Sequence, residues 1–126
     1  MIKATINNKN NIPVFVYGTL MKGKSASHYM EDADFLGTAE LPGYAMYDLG
    51  WYPGILEQKG SSVHGEVYLV CEEMLKDMDG YEGEGFLYMR KTVAITGIEG
   101  CPETQVYVYL RPVDEAQRIG KGRWDR

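Results

Sequence analysis

The stretch that most constrains the fold is residues 14–20, Val-Phe-Val-Tyr-Gly-Thr-Leu. Its first four residues are all apolar or aromatic, without the polar alternation of a strand that has one face in water. A short run of this kind is typical of a strand buried on both faces, which lies in the middle of a sheet. We therefore predict a strand at residues 12–17 with the rest of the chain built around it.

This strand stops abruptly at Gly18, a residue type that adopts backbone angles forbidden to others. Thr19 adds a hydroxyl group, and the N–H groups of Gly18, Thr19 and Leu20 have no evident ladder to join. Backbone N–H groups bunched at a strand end form a concavity suited to a carboxylate or a developing oxyanion. The simpler alternative is that Gly-Thr only turns the chain, because glycine is common in turns.

The remaining pattern is a series of short strands with two short helices. We predict further strands at residues 34–41, 44–49, 55–58, 63–70, 87–96 and 104–110, with turns at 42–43 and 59–62. The predicted helices span 25–32 and 72–79, the second ending at a left-handed cap on Gly80. Links of hairpin length predict an α+β fold, a small, mixed but mostly antiparallel β-barrel with short helices.

The length of 126 residues predicts one domain, residues 1–126, with residues 1–11 as a flexible lead-in. A net charge of −5 argues against nucleic-acid binding, and no apolar run is long enough to span a membrane. The polar N-terminus does not resemble a secretory signal, so we expect a cytoplasmic protein, either a monomer or a weak homodimer. Near the other end, Trp124 is expected to dock the C-terminal tail onto the body of the protein.

Glu82 is the strongest candidate for a catalytic residue. It stands between Tyr81 and Gly83, and a carboxylate in an aromatic, glycine-lined niche is partly stripped of water. Desolvation disfavours the charged form and moves the pKa toward neutrality, which suits a proton shuttle. The alternative is an ordinary solvated loop glutamate, and the same alternative applies to Glu84.

Other catalytic classes find little support in the sequence. His28 and His64 have no further ligands in register, so no metal site is predicted, and His64 is expected to be a surface or pairing residue. Cys71 and Cys101 lack metal or redox spacing and are expected to be free thiols. No phosphate-binding glycine loop is present, and no cofactor is predicted.

Five motifs in this order resemble those of the gamma-glutamylcyclotransferase-like family, in particular its gamma-glutamylamine cyclotransferase, AIG2-like and BtrG-like branch. They are Tyr17-Gly18-Thr19-Leu20, His64-Gly65-Glu66-Val67-Tyr68, Asp79-Gly80-Tyr81-Glu82-Gly83, Tyr88-Met89-Arg90 and Gly122-Arg123-Trp124. The resemblance covers about residues 14–124 and implies a compact α+β fold with a cavity at one end. Residues 50–54, an aromatic loop, and the Gly83-Glu84-Gly85-Phe86 segment depart from the family pattern.

The resemblance also implies an activity, the cyclisation of a gamma-glutamyl group to 5-oxoproline with release of an amine or amino acid. It implies that Glu82 is the general acid/base and that Tyr17, Gly18, Thr19 and Leu20 bind the glutamyl portion. We predict that Tyr88 contacts the substrate as well. Two alternatives stay open, a non-catalytic protein that binds a small carboxylate-bearing metabolite and another carboxylate-dependent enzyme such as a small hydrolase.

Overall fold

The computed structural model describes residues 9–100 and 103–125. Six strands, one α-helix and two 3-10 helices make up the described chain. The strands are β1 (Ile12–Val16), β2 (Asp34–Asp48), β3 (Pro53–Val70), β4 (Tyr88–Val93), β5 (Thr104–Tyr109) and β6 (Arg118–Ile119). The α-helix is α1 (Glu72–Glu82), and the 3-10 helices span Ser27–Met30 and Glu115–Gln117.

The strands form a single sheet in the order β4-β5-β1-β3-β2-β6. The pairing is antiparallel except between β1 and β5, which run parallel at Val14 and Gln105. Strand β1 therefore lies inside the sheet, and its Val14 and Phe15 are completely buried. This confirms the predicted central strand, whose apolar residues pack on both sides.

The α+β class and the mostly antiparallel sheet are confirmed, although the sheet is curled rather than closed. A bridge between Glu40 of β2 and Thr96, just after β4, joins the two sides with N–H···O distances of 2.9 Å. No continuous ladder between β4 and β2 follows it in the described residues. Among those same residues, no helix has the length and apolar character needed to cross a membrane.

Two predicted turns are wrong, because β2 and β3 are long continuous strands that form one hairpin. At residues 42–43 the chain makes a bulge instead of a turn, with the register shifting between Pro42 and Tyr44. Leu41 and Tyr44 are both buried, so a turn there would take apolar side chains out of the core. The proline fits because, among the described residues, β6 pairs with residues 46 and 47 of β2 and Thr96 bridges to residue 40, so that no described strand pairs with the outer edge of β2 at position 42.

Helix boundaries also differ from the prediction. The expected helix at residues 25–32 is the 3-10 helix Ser27–Met30, one turn long. Helix α1 continues through Gly80 and ends at Gly83, which has the left-handed backbone of a C-cap (φ 66°). Glu82 is therefore the last helical residue and not part of a flexible loop.

Strand β4 is shorter than predicted, and its Met89 is 41% exposed. Trp124 is buried, which confirms that the C-terminal segment docks onto the body. Cys71 is a free, buried thiol, as predicted, whereas Cys101 lies outside the described residues. Most of the predicted lead-in also lies outside them; within its described part, Asn10 is buried and donates a hydrogen bond to the Asp32 carbonyl at 2.9 Å.

Candidate active site

One wall of the site is the turn that follows β1. Tyr17, Thr19 and Leu20 are buried, and none of the hydrogen bonds between described backbone groups is donated by the N–H of Gly18, Thr19 or Leu20. Buried backbone donors normally find partners, so these amides are poised for an acceptor on a ligand. The turn thus offers what the sequence predicted, a row of N–H groups at a strand end.

The reason for a glycine at position 18 differs from the prediction. Gly18 is not among the glycines with a positive φ angle. A Cβ atom there would instead lie 2.6 Å from Cγ and 2.7 Å from Cδ of Pro53, at the start of β3. Glycine is needed because the backbone passes against this proline ring.

The opposite wall is the last turn of α1. Glu82 is partly buried there, and none of the ion pairs between described residues includes it. Burial raises the pKa of the Glu82 carboxyl from its ordinary value of 4.5 to about 7. A carboxyl with this pKa both accepts and donates a proton near neutral pH.

The two walls enclose one cavity of about 140 Å³. All six residues predicted for the site line it, namely Tyr17, Gly18, Thr19, Leu20, Glu82 and Tyr88. The other lining residues are Phe15, Val16, Tyr52, Pro53, Tyr81, Leu87 and Tyr107. The chain therefore brings the amides after β1 and the Glu82 carboxyl to a common, mostly apolar space.

Two lining tyrosines are held by bonds to backbone carbonyls. The Tyr17 hydroxyl donates to the Tyr107 carbonyl and the Tyr88 hydroxyl donates to the Pro53 carbonyl, both at 2.7 Å. Burial, together with the nearby Glu82 charge, raises the pKa of both phenols above its ordinary value of 10. They are neutral at physiological pH, and they give the cavity a fixed shape.

A third tyrosine links the two walls directly. The hydroxyls of Thr19 and Tyr81 are 2.7 Å apart, which joins the turn after β1 to the end of α1. Tyr81 also packs against Tyr29 with ring centroids 4.8 Å apart. Tyr81 and Tyr52 are 39% and 37% exposed, so they form the rim of the cavity where it meets solvent.

Sequence reasoning overlooked Pro53 and Tyr107 as site residues. The sequence predicts a loop at Pro53 and an ordinary strand position at Tyr107, and neither carries a local signal of a site. Their places follow from pairing of distant strands, which no short window of sequence contains. The strongest sequence signal for a site residue on β5 is Tyr107 itself, a large aromatic residue between two buried valines.

The remaining candidates lie elsewhere. Glu84 is exposed, and its carboxylate accepts from the Arg90 backbone N–H at 3.4 Å without lining the cavity. His64 pairs with Glu40 across β2 and β3 at 3.2 Å, which confirms its expected pairing role. Trp51 is 90% exposed and does not line the cavity, whereas its neighbour Tyr52 does.

The raised pKa of Glu82 predicts a pH-dependent effect of Glu82→Gln on stability. The folded state favours the protonated form of Glu82. The contribution of Glu82 to the free energy of unfolding is therefore complete below pH 4.5 and is lost as the pH rises through about 7. We expect Glu82→Gln to raise the free energy of unfolding by about 2 kcal/mol at pH 8 and to change it little at pH 4.5. Urea unfolding at the two pH values measures this; an equal difference at both would contradict it.

The sequence is similar to those of several known proteins. A family model described as gamma-glutamyl cyclotransferase, AIG2-like, matches residues 14–126. A putative gamma-glutamylcyclotransferase of Vibrio cholerae serotype O1 is 49% identical over 112 residues, covering 88% of this chain and 93% of the relative. A gamma-glutamylaminecyclotransferase of Bos taurus is 37% identical over 130 residues, covering 86% of this chain and 77% of that protein.

Solved structures show the same fold. The crystal structure of an AIG2-like protein from Mus musculus superposes with a TM-score of 0.74 at 26% sequence identity, covering 90% of this chain and 88% of that one. The family match takes in both walls of the cavity, from the turn after β1 to the end of α1. The chain described here therefore belongs to the AIG2-like gamma-glutamyl cyclotransferase family.

Proposed function

We propose that this protein is a cyclotransferase that converts a γ-glutamyl amine or γ-glutamyl peptide into 5-oxoproline and a free amine. One observation supports it above all: the Glu82 carboxyl, with its pKa raised to about 7, lines the same cavity as the backbone amides of residues 18–20. Membership of the family agrees with this reaction. The cytoplasmic location and the monomeric or weakly dimeric state stay predictions.

The proposed reaction is an intramolecular acyl transfer. The α-amine of the glutamyl group attacks its own γ-carbonyl carbon, and a new C–N bond closes a five-membered ring. The γ-amide C–N bond then breaks, and the amine leaves with one proton gained. No water is consumed, and the substrate supplies the nucleophile, so the enzyme needs no serine or cysteine for attack.

Glu82 is the proton carrier in this scheme. The free α-amine has a pKa near 8 and is largely protonated at neutral pH, so it must lose a proton before it attacks. The ionised Glu82 takes that proton, and the resulting acid donates it to the departing nitrogen. The α-nitrogen loses a second proton as the ring closes, and the freed amine takes this proton up in water to become an ammonium ion. A carboxyl with a pKa of about 7 suits both steps better than a solvated glutamate does.

The turn after β1 handles charge and orientation. We assign the N–H groups of Gly18, Thr19 and Leu20 to the negative oxygen that develops as the ring closes. Tyr17 and Tyr88, fixed by their bonds to backbone carbonyls, wall the space in which the glutamyl chain must bend. Holding the amine against the carbonyl carbon in this way lowers the entropic part of the barrier.

A panel of γ-glutamyl amines and γ-glutamyl dipeptides, with 5-oxoproline release measured directly, tests the proposal. We expect turnover of at least one member, and no turnover of the same compound carrying an acetyl group on the α-amine. The blocked compound lacks the nucleophile, so a cyclotransferase cannot process it. A small hydrolase would still cleave it and release N-acetylglutamate, which would refute the proposal.

A binding protein without catalysis gives a different result in the same panel. It would be stabilised against heat by γ-glutamyl compounds, because a ligand that binds only the folded state raises the melting temperature. It would release no 5-oxoproline from any of them. That combination would assign the cavity to ligand binding and overturn the enzymatic proposal.

The charge of the cavity predicts a preference among leaving groups. None of its lining residues in the described chain is a lysine, arginine or histidine, and Glu82 itself becomes anionic. A carboxylate on the leaving amine would thus lose water without gaining a cationic partner. We expect kcat/KM for γ-glutamyl-alanine amide to exceed that for γ-glutamyl-alanine by about tenfold, or about 1.4 kcal/mol.

These two compounds differ only in the terminal carboxylate, so steady-state kinetics on the pair isolates the charge. A second pair, the glycine amide and glycine derivatives, checks that the difference does not depend on the methyl group. Equal kcat/KM values within both pairs, or faster turnover of the carboxylates, would contradict the prediction.

A further inference from the structure

The Asp79 carboxylate joins three elements behind the cavity. It lies on α1, and Arg90 of β4 binds it in a fork, with Nε to Oδ1 at 3.0 Å and Nη2 to Oδ2 at 3.2 Å. The Tyr107 hydroxyl of β5 donates to the same Oδ1 at 2.6 Å. A bidentate pair with a third donor fixes the angle as well as the position of both side chains.

Arg90 is held from its other side too. Its Nη1 donates to the Gln105 side chain at 3.0 Å, and Gln105 in turn donates to the Thr92 hydroxyl at 2.8 Å. The side chains of Arg90 and Asp79 are only 29% and 25% exposed. The pair is therefore more rigid and less screened by water than an ordinary surface ion pair.

Two connections lead from this pair to the cavity. Tyr107 lines the cavity, and its carbonyl accepts the hydrogen bond of the Tyr17 hydroxyl. Asp79 also precedes Glu82 by three residues in α1, which puts the two side chains on neighbouring positions of the helix surface. The Asp79 carbonyl accepts the Glu84 N–H at 3.0 Å, so Asp79 closes the helix just beyond Glu82.

We propose that Asp79 and Arg90 are positioning residues that anchor the last turn of α1 and, because their charges cancel, keep the Glu82 carboxyl free of a net neighbouring charge. This inference rests on the proposed function, in which Glu82 carries the proton. Neither residue touches the substrate in this scheme. Their effect reaches the reaction through the place and the charge environment of the Glu82 carboxyl.

The other titratable groups that line the cavity with Glu82 are tyrosines from several elements. They are Tyr17 just after β1, Tyr52 of the β2–β3 turn, Tyr81 of α1, Tyr88 of β4 and Tyr107 of β5. Behind this wall, Asp79 and Arg90 carry opposite formal charges, and Glu84, exposed in the loop after α1, accepts from the Arg90 backbone N–H. Because these two cancel, removal of either one leaves a net charge close to Glu82.

Replacing Asp79 and replacing Arg90 are expected to shift the pKa of Glu82 in opposite directions. Asp79→Asn leaves the Arg90 guanidinium uncompensated, which favours the ionised form of Glu82 and lowers its pKa. Arg90→Gln leaves the Asp79 carboxylate uncompensated, which disfavours the ionised form and raises the pKa. A merely structural role would disturb folding in both variants without moving the pKa in opposite directions.

The test is a titration of the Glu82 carboxyl by carbon NMR, with the resonance assigned by its loss in Glu82→Gln. We expect its pKa to fall by about 0.5 or more in Asp79→Asn and to rise by about as much in Arg90→Gln. The pH at which kcat/KM is half its maximum is expected to move with it. Glu115→Gln, which removes one partner of the exposed pair with Arg118, serves as the control and is expected to leave the pKa unchanged.

Arg90→Lys separates charge from geometry, since lysine keeps the charge and loses the planar fork. We expect it to leave the Glu82 pKa within about 0.3 of that of the unaltered protein while kcat falls about tenfold with KM little changed. The double variant Asp79→Asn with Arg90→Gln has no net charge left behind, so its pKa is expected to return toward that of the parent. Where one single variant does not fold, the sign of the pKa shift in the other still decides, because no shift or a shift of the opposite sign would overturn the inference.

Shifts of the same sign in the two single variants, or no shift in either, would overturn the inference. So would a double variant whose pKa departs from that of the parent as far as the single variants do. The titration needs no substrate, so it still reports on the pair if the parent protein makes no 5-oxoproline. A parent protein that makes no 5-oxoproline would refute the proposed function, whereas the titration would still test the role of the pair.

Discussion

Replacing Glu82 by glutamine is expected to lower kcat for 5-oxoproline release by about a thousandfold, with little change in KM. Glutamine keeps the shape of the side chain but cannot take a proton from the α-amine or return one to the leaving nitrogen. General acid–base catalysis by a positioned side chain contributes about 10²- to 10⁴-fold, which sets the size of the loss. Steady-state kinetics at pH 8 with the best substrate of the panel measures it.

Glu84→Gln is the matched control for this variant. Glu84 lies two residues further along, is exposed and does not line the cavity, so the same chemical change there is expected to alter kcat less than about twofold. Loss of activity in both variants would point to a general effect of charge on this segment. Full activity of Glu82→Gln would remove Glu82 from the mechanism.

Gly18→Ala is expected to have the next largest effect, on stability and activity together. The added methyl group would lie 2.6 Å from Cγ of Pro53, and a proline ring cannot rotate away from its own backbone. The turn after β1 must therefore shift, which moves the amides of residues 18–20 away from the Glu82 carboxyl. We expect the free energy of unfolding to fall by about 1–3 kcal/mol and kcat/KM to fall at least about tenfold.

Gly80→Ala is the control for the same chemical change at a permissive site. Gly80 lies within α1, and a Cβ atom there meets no heavy atom within 4 Å. Alanine is the better helix former by about 0.5–1 kcal/mol, so this variant is expected to gain stability and keep its activity. Urea unfolding and kinetics on the two variants give the comparison; a Gly18→Ala protein as stable and active as the parent would contradict the close-packing explanation.

The helix that carries Glu82 shows where sequence reasoning reaches its limit. Its apolar stripe predicted a helix from residue 72, and α1 begins there. The sequence has two glycines near the end of this helical pattern, Gly80 and Gly83, and either one suits the end of a helix. Gly83 takes the left-handed conformation because the chain must turn there to reach β4, whose pairing with β5 depends on residues some twenty positions later.

The long hairpin of β2 and β3 shows the same limit for turns. Pro42-Gly43 and the segment at residues 59–62 carry strong turn signals, yet both lie within continuous strands. A bulge and a bend use the same residue types as a turn, so composition does not distinguish them. The partner strand decides, because each stretch must bury its apolar residues against the same core.

Local sequence was sufficient to predict the buried strand before Gly18, the row of amides after it and the acid at position 82, because each depends on residues that are neighbours in the chain. Contacts between distant strands were needed to supply Pro53 and Tyr107 and the fork between Asp79 and Arg90. The same contacts bring Glu82 and the amides to one cavity and strip the carboxyl of water, which raises its pKa. Desolvation depends on what surrounds a group in space. The neighbours Tyr81 and Gly83 indicate a niche, but most of the residues that enclose it come from distant strands and turns.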